Sequence, residues 1–180
     1  MGLGNPGLRY RMTRHNVGFM VIDQLAEKLD VTLKEISRLE GAVGKSGDVV
    51  LLKPLTFMNL SGQSVQKVCS YYKVALEDVL VVCDDAALEF GAMRMREKGT
   101  SGGHNGLQDI IDSMGSEFAR LRVGIGGPSE LDLADYVLAN FSKSEQDKLP
   151  AIASEATKIC ETWLQGGFQK AAQTAATWEG

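Results

Sequence analysis

With 180 residues, 44% of them hydrophobic, the chain has the apolar content for one globular domain over 1–180 with a full-sized core. No run approaches the ~18 apolar residues that span a bilayer, and the first residues lack the basic-then-apolar pattern of a signal peptide. Membrane and secreted classes are set aside on that basis, and a cytoplasmic protein is expected. The net charge of −4 argues against a general nucleic-acid coat protein but leaves room for local basic patches.

In chain order, Val17, Val21, Leu25 and Leu29 recur every four residues, the apolar stripe of an amphipathic helix that begins near Asn16. Val49–Lys53 is a short apolar strand ended by Pro54. Ser61–Tyr72 has helical spacing through Val65, Val68 and Tyr72. Val79–Cys83 is an unbroken apolar run of the kind found in strands buried on both faces. Over Ala92–Arg96 methionine alternates with arginine, which as a strand puts Met93 and Met95 on one face and Arg94 and Arg96 on the other. His104–Met114 reads as a helix, Leu121–Ile125 as a strand and Leu131–Leu138 as a short helix. Ser144–Ala176 holds one or two helices, broken or bent near Gly166-Gly167. Strands alternate with helices throughout, which predicts a three-layer α/β domain with a mixed twisted sheet between helices.

Cys69, Cys83 and Cys160 are odd in number, far apart and flanked by apolar residues, so they are read as reduced thiols rather than a disulfide framework. No two Cys or His residues fall at zinc-ligand spacing, and no metal site is expected.

The chain has two histidines, and both lie in Gly/Asn-rich polar segments. His15 sits just before the first helix, between Arg14 and Asn16. A loop histidine by itself is most often a surface residue. Asp84 follows the buried run 79–83, at the C-terminal end of a central strand, where open α/β sheets gather their ligand sites. A carboxylate there is placed to orient an imidazole, but Asp85 is a rival that spacing alone does not separate from it. Asn59 ends a Phe-Met-Asn turn and Asn105 opens a helix. Each suits a helix cap or the donation of an amide to an oxyanion. Gly2-Leu3-Gly4-Asn5-Pro6-Gly7 has the G-x-G-x-x-G spacing of dinucleotide sites, yet no strand precedes it, no helical stripe follows it, and Pro6 removes a donor. There is no G-x-S-x-G elbow, and no cysteine lies in an activating environment. A water nucleophile with a histidine base, and no cofactor, is the reading that remains.

Gly4-Asn5-Pro6-Gly7, Thr13-Arg14-His15-Asn16, Phe57-Met58-Asn59-Leu60-Ser61-Gly62 and Ser101-Gly102-Gly103-His104-Asn105-Gly106, in this order, resemble the bacterial-type peptidyl-tRNA hydrolase family along essentially the whole chain. The resemblance implies a monomeric hydrolase that cuts the ester between a nascent peptide and tRNA, with peptidyl-tRNA as its partner. It implies His15 as the catalytic histidine and Asp84 as the carboxylate that orients it. Asn5, Asn59 and Asn105 match the family's site amides, His104 its second histidine, and Tyr10 and Met58 its substrate-pocket positions. Arg96 and Arg122 match a basic pair that grips the tRNA 5′-phosphate; lysine is common at the first, and arginine keeps the charge but changes the geometry of the fork. The chain departs from the resemblance in two places. Relatives carry an apolar strand before Gly-Leu-Gly-Asn-Pro-Gly where this chain begins at Met1, so a shortened strand or an upstream start is expected. Asp85-Ala86-Ala87 is less acidic than the family pattern. A non-catalytic RNA-binding relative would be marked by loss of His15 or Asp84, and both are present. The nucleotide-dependent oxidoreductase is a distant third reading.

Overall fold

The structure, a computed structural model, describes residues 1–128 and 132–178. β1 (Lys34–Ile36), β2 (Gly41–Ser46) and β3 (Val49–Pro54) form an antiparallel sheet in that order. β4 (Leu80–Asp85), β5 (Met93–Arg96) and β6 (Ala119–Gly124) form a mixed sheet with β6 in the middle, parallel to β4 and antiparallel to β5. The two halves are joined through the start of the chain. Gly2 donates its N–H to Leu52 O (3.0 Å) and bridges Val82, while the Leu3 N–H donates to Val82 O (2.9 Å). The expected mixed sheet is thus realised as two three-stranded halves laced together by Met1–Leu3.

Helices cover both faces. α1 (Val17–Lys28) and α6 (Leu149–Ala176) share one apolar core, and α2 (Ser61–Tyr72) and α3 (Asn105–Met114) belong to the other. β4 serves both cores by alternation, with Leu80 and Val82 turned to the α1 side and Val81 and Cys83 to the α2 side. That explains why its sequence is apolar without a break. Met93 and Met95 are buried while Arg94 and Arg96 are exposed, as the alternation predicts. Two short helices, α4 (Leu133–Leu138) and α5 (Lys143–Gln146), connect β6 to α6. Leu131, read from sequence as the start of the first, lies outside the described residues. α6 is interrupted at Gly167, where φ is 74°. No helix among the described residues is long and apolar enough to cross a membrane. All three cysteines are free and buried, and burial pushes the Cys160 thiol up to about 12.

β1 and β2 have no counterpart in the sequence reading. Gly41-Ala42-Val43-Gly44 offers neither alternation nor bulk, and its glycines make room for neighbours. A Cβ on Gly41 would lie 2.5 Å from the Leu52 side chain, and one on Gly44 would lie 2.3 Å from Val31.

The Met1 ammonium is held between β3 and β4, donating to Leu80 O at 2.7 Å, and burial lowers its pKa. A cavity of about 500 Å³ opens beside it, lined among others by Val50, Leu52, Leu80, Val82, Ile22 and Leu25. The N–H and C=O of one strand residue point the same way. Leu52 and Leu80, whose carbonyls accept from Gly2 and Met1, therefore turn their N–H groups into this cleft as well. Five apolar residues added ahead of Met1 should pair with both strands and remove the buried charge. We expect the melting temperature to rise by several degrees, at ~2–4 °C per kcal/mol for a chain of this size. An unchanged melting temperature with the added residues disordered would contradict this account of the cleft.

Candidate active site

Three chain segments converge on Asp84. β4 delivers it at its C-terminal end, the 3₁₀ turn Arg14–Asn16 that leads into α1 delivers His15, and the loop ahead of α3 delivers His104. The His15 Nδ1 lies 2.8 and 2.9 Å from the two Asp84 carboxylate oxygens, and the His104 Nε2 lies 3.0 Å from Oδ1. The rings are tilted against each other with centroids 4.8 Å apart. All three residues are buried, Asp84 to 3% exposure.

The hydrogen positions follow from the partners. His104 is the N-cap of α3, and its Nδ1 accepts from the N–H groups of Gly106 (3.1 Å) and Leu107 (3.2 Å). A nitrogen that accepts two amides carries no hydrogen, so the proton of the neutral ring is on Nε2, which donates to Asp84. Asp84 is a pure acceptor when ionised, so His15 donates from Nδ1, which leaves its Nε2 lone pair unprotonated for a substrate-side proton. Burial by itself would raise the Asp84 carboxyl. The attraction of the His104 and His15 rings, and the hydrogen bonds they donate, outweigh burial and hold it well below the usual carboxylate range. Asp85 is placed differently: its Oδ1 accepts from the Ala87 N–H, and its Oδ2 accepts from Arg122 at 3.1 Å. The acid that meets His15 is Asp84.

The amide side of the site is built around Asn5. Its Oδ1 accepts from the Met58 N–H (2.8 Å), so its remaining function is to donate through the NH₂. Its backbone is clasped by Asn16, whose Oδ1 accepts from the Asn5 N–H and whose Nδ2 donates to Asn5 O, both at 2.9 Å. Met58 is buried against Gly106, where a Cβ would lie 2.4 Å from its sulfur, so only glycine lets the Met58 turn and the start of α3 approach this closely. Asn59 and Asn105 are exposed, with no side-chain hydrogen bond within the described residues. His15, Asp84, His104 and Asn105 line one cavity of about 290 Å³ together with Arg122 and the α4 residues Leu133, Ala134 and Val137. Tyr10 stands on the 8–10 turn, its hydroxyl accepting from Arg9 and its ring beneath the Arg9 guanidinium.

The β5–β6 register sets Arg94 opposite Arg122 and Arg96 opposite Arg120. Arg120 is buried, donating to Gly99 O and Ser116 O. Arg122 is spent on Asp85, Thr100 O and Ser101 O, and its guanidinium pins the loop 100–101. Arg94 and Arg96 are exposed, with no acidic partner among the described residues. Sequence reasoning set Arg94 on the face of Arg96 without giving it a site role, and it left out Asn16, whose only signal was its place in Thr13-Arg14-His15-Asn16.

Spacing along the chain gave no hint of a metal-ligand set, because the donors come from separate segments. In the fold, one ligand atom from each of His15, Asp84 and His104 lies within 4.8 Å of the others. Both nitrogens facing Asp84 are engaged in donating to it, so a cation would enter only by displacing those bonds.

A buried imidazole–carboxylate pair at the C-terminal end of a central strand, facing a cavity that Asn105 also lines, is an arrangement suited to a hydrolase. The family model described as peptidyl-tRNA hydrolase matches residues 1–179. The chain is similar to the peptidyl-tRNA hydrolase of Clostridium novyi (strain NT), 44% identical over 176 residues, covering 95% of this chain and 93% of that relative. It is likewise 45% identical over 175 residues to the peptidyl-tRNA hydrolase of Geobacter sp. (strain M21), with 95% and 93% covered. A crystal structure of peptidyl-tRNA hydrolase from Acinetobacter baumannii superposes with a TM-score of 0.92 at 37% identity, covering 98% of this chain and 93% of that one. The chain belongs to the peptidyl-tRNA hydrolase family.

The depressed Asp84 pKa has a measurable consequence for stability. A carboxylate whose folded pKa lies below its unfolded value of about 3.9 contributes stability that is fully present above that pH and is lost as pH falls through the folded pKa. Acid titration of unfolding should therefore show a loss below about pH 4 that is smaller in Asp84→Asn. An identical acid dependence in the variant would show that Asp84 is not held ionised by its two histidines.

Proposed function

We propose that this chain hydrolyses the ester joining a nascent peptide to the 3′ end of tRNA, releasing peptide and free tRNA for recycling after abortive translation. The observation that carries the reading is the His15–Asp84 pair, which engages His15 through Nδ1 and leaves Nε2 outside it, in a chain of this family. A non-catalytic RNA-binding relative would have no use for that pair.

In this reading His15 Nε2 takes a proton from water as the water oxygen attacks the ester carbonyl. Asp84, already anionic, stabilises the imidazolium that forms. The carbonyl oxygen becomes an oxyanion within reach of amide donors, a role for which the free NH₂ of Asn5 and the unengaged amides of Asn59 and Asn105 are suited. Collapse breaks the bond to the ribose oxygen, and His15 returns its proton to that leaving group. His104 has both ring nitrogens occupied, so its part is to hold Asp84 rather than to bind substrate through a nitrogen. Met58 holds the Asn5 side chain through its backbone N–H, and Tyr10, on the 8–10 turn, is assigned to the substrate by the family resemblance alone. No step needs a metal or cofactor.

Arg96 suits the tRNA 5′-phosphate, since it is exposed and uncompensated, and Arg94 beside it offers a second guanidinium on the same face. Such contacts position the tRNA without reading its sequence. Arg122 enters this reading mainly as the pin of the loop that carries His104. We place the protein in the cytoplasm as a monomer, where peptidyl-tRNA is generated.

The test is incubation with purified peptidyl-tRNA in the presence of EDTA, following release of peptide and intact tRNA. We expect turnover to persist in the chelator and to fall by roughly 10²–10⁴-fold in His15→Ala, with KM within a few-fold. More than about a tenth of wild-type turnover in that variant would remove His15 from the chemistry.

A further inference from the structure

Arg14 precedes His15 in the chain and points away from Asp84, yet the residue is buried to 8% exposure. It donates to Asn140 O (2.8 Å) and Ala139 O (3.4 Å), and it forms an ion pair with Glu145 at 2.8 Å. Its charge lies 4.3 Å from the Tyr136 ring centroid and 5.4 Å from that of Phe141. The main chain repeats the connection: Arg14 N–H donates to Ala139 O, Phe141 N–H donates to Met12 O, and Thr13 bridges Asn140. Everything Arg14 holds lies on one segment, 136–145, which leads out of α4.

α4 is lightly packed, with Tyr136 and Val137 half-buried against the core that α1 and α6 share. It buries no residue of its own, and Leu133 and Leu138 stand 49% and 44% exposed. Its anchor is Tyr136, whose hydroxyl donates to Ile125 O and whose ring lies against Arg14. On its other side α4 supplies Leu133, Ala134 and Val137 to the cavity that His15, Asp84 and Asn105 line from across the cleft. A buried ion pair is a weak device for stability, because desolvation offsets most of the attraction, and apolar packing would serve as well. A guanidinium fork that grips two carbonyls, a carboxylate and a ring face at once instead sets a geometry, and lysine cannot copy it.

We propose that Arg14 is a positioning residue for the hydrolysis: through Tyr136 it fixes the α4 wall at a set distance from the turn that carries His15, and so sets the width of the cleft that receives the ester. The proposal rests on the reading of His15 as the base and adds to it a residue that touches neither substrate nor proton.

Arg14→Lys, Tyr136→Leu and the double variant test it, by kinetics on peptidyl-tRNA and by amide hydrogen exchange, which does not depend on activity. In either single variant KM should rise roughly ten-fold, the scale of one desolvated cation–π contact, with kcat within about three-fold. Exchange over 133–138 should quicken by a similar factor, while the core strands stay protected. The double variant should be no worse than the worse single one, because both break one link. An unchanged KM beside a lowered melting temperature would make Arg14 merely structural. Effects that multiply in the double variant, or α4 exchange that does not change, would likewise overturn the proposal. A wild type without hydrolase activity would count against the functional reading, and the exchange result would still decide whether Arg14 holds the wall.

Discussion

The carboxylate of Asp84, buried at the end of β4 and shared between two imidazoles, is the interaction on which the rest of the site depends. A buried carboxylate is costly unless its oxygens are fully engaged. Here the donors are arranged in a chain: the first N–H groups of α3 fix the His104 ring, His104 donates to Asp84, and Asp84 orients His15. The N-terminal end of a helix carries partial positive charge. Through a neutral imidazole that charge favours the anion of Asp84, and the anion in turn orients the His15 ring. The order of the links explains why His104 has both ring nitrogens occupied while His15 is engaged through Nδ1 alone.

Each link is set by a feature of the fold remote from the reaction. β4 presents Asp84 because it is packed on both faces and cannot shift register without turning polar groups into one of the cores. α3 approaches closely enough to cap on His104 because Gly106 leaves room for Met58, and Met58 in turn fixes the Asn5 side chain. Asn16, at the end of the His15 turn, clasps the Asn5 backbone, so His15 and Asn5 are placed by a single turn. His15, Asp84 and Asn5 are thus held in one connected unit.

Much of the fold was legible because it rests on local periodicity. The four-residue stripe of α1, the unbroken run of β4 and the Met/Arg alternation of β5 each state their burial in sequence. β1 and β2 were not legible, since Gly41-Ala42-Val43-Gly44 packs through absence of side chain rather than through pattern. The Gly47-Asp48 turn before Val49 was the one available hint of a hairpin there. The division of the sheet into two halves depends on pairing between the first residues and strands some fifty and eighty positions away, which periodicity does not encode.

The site was legible in its residues rather than in its geometry. Asp84 and Asp85 read alike in sequence, yet strand alternation places Asp84 with Leu80 and Val82 on the face that α1 covers, where His15 begins the helix. Asp85 falls on the other face, with Arg122. Residue type and motif do not reveal how many of a side chain's donors are already spent, so the hydrogen bonds that His104 gives Asp84 and Arg122 gives the 100–101 loop could not be read from the sequence.

The central claim is that α3 fixes the tautomer of His104, so that Asp84 stays anionic and His15 keeps a free Nε2. Nitrogen-15 NMR of the two imidazoles near pH 8 tests it most directly. The account predicts His104 protonated at Nε2 with an unprotonated, hydrogen-bonded Nδ1, and His15 protonated at Nδ1 with an unprotonated Nε2. A His104 ring protonated at Nδ1, or a His15 ring protonated at Nε2, would contradict it.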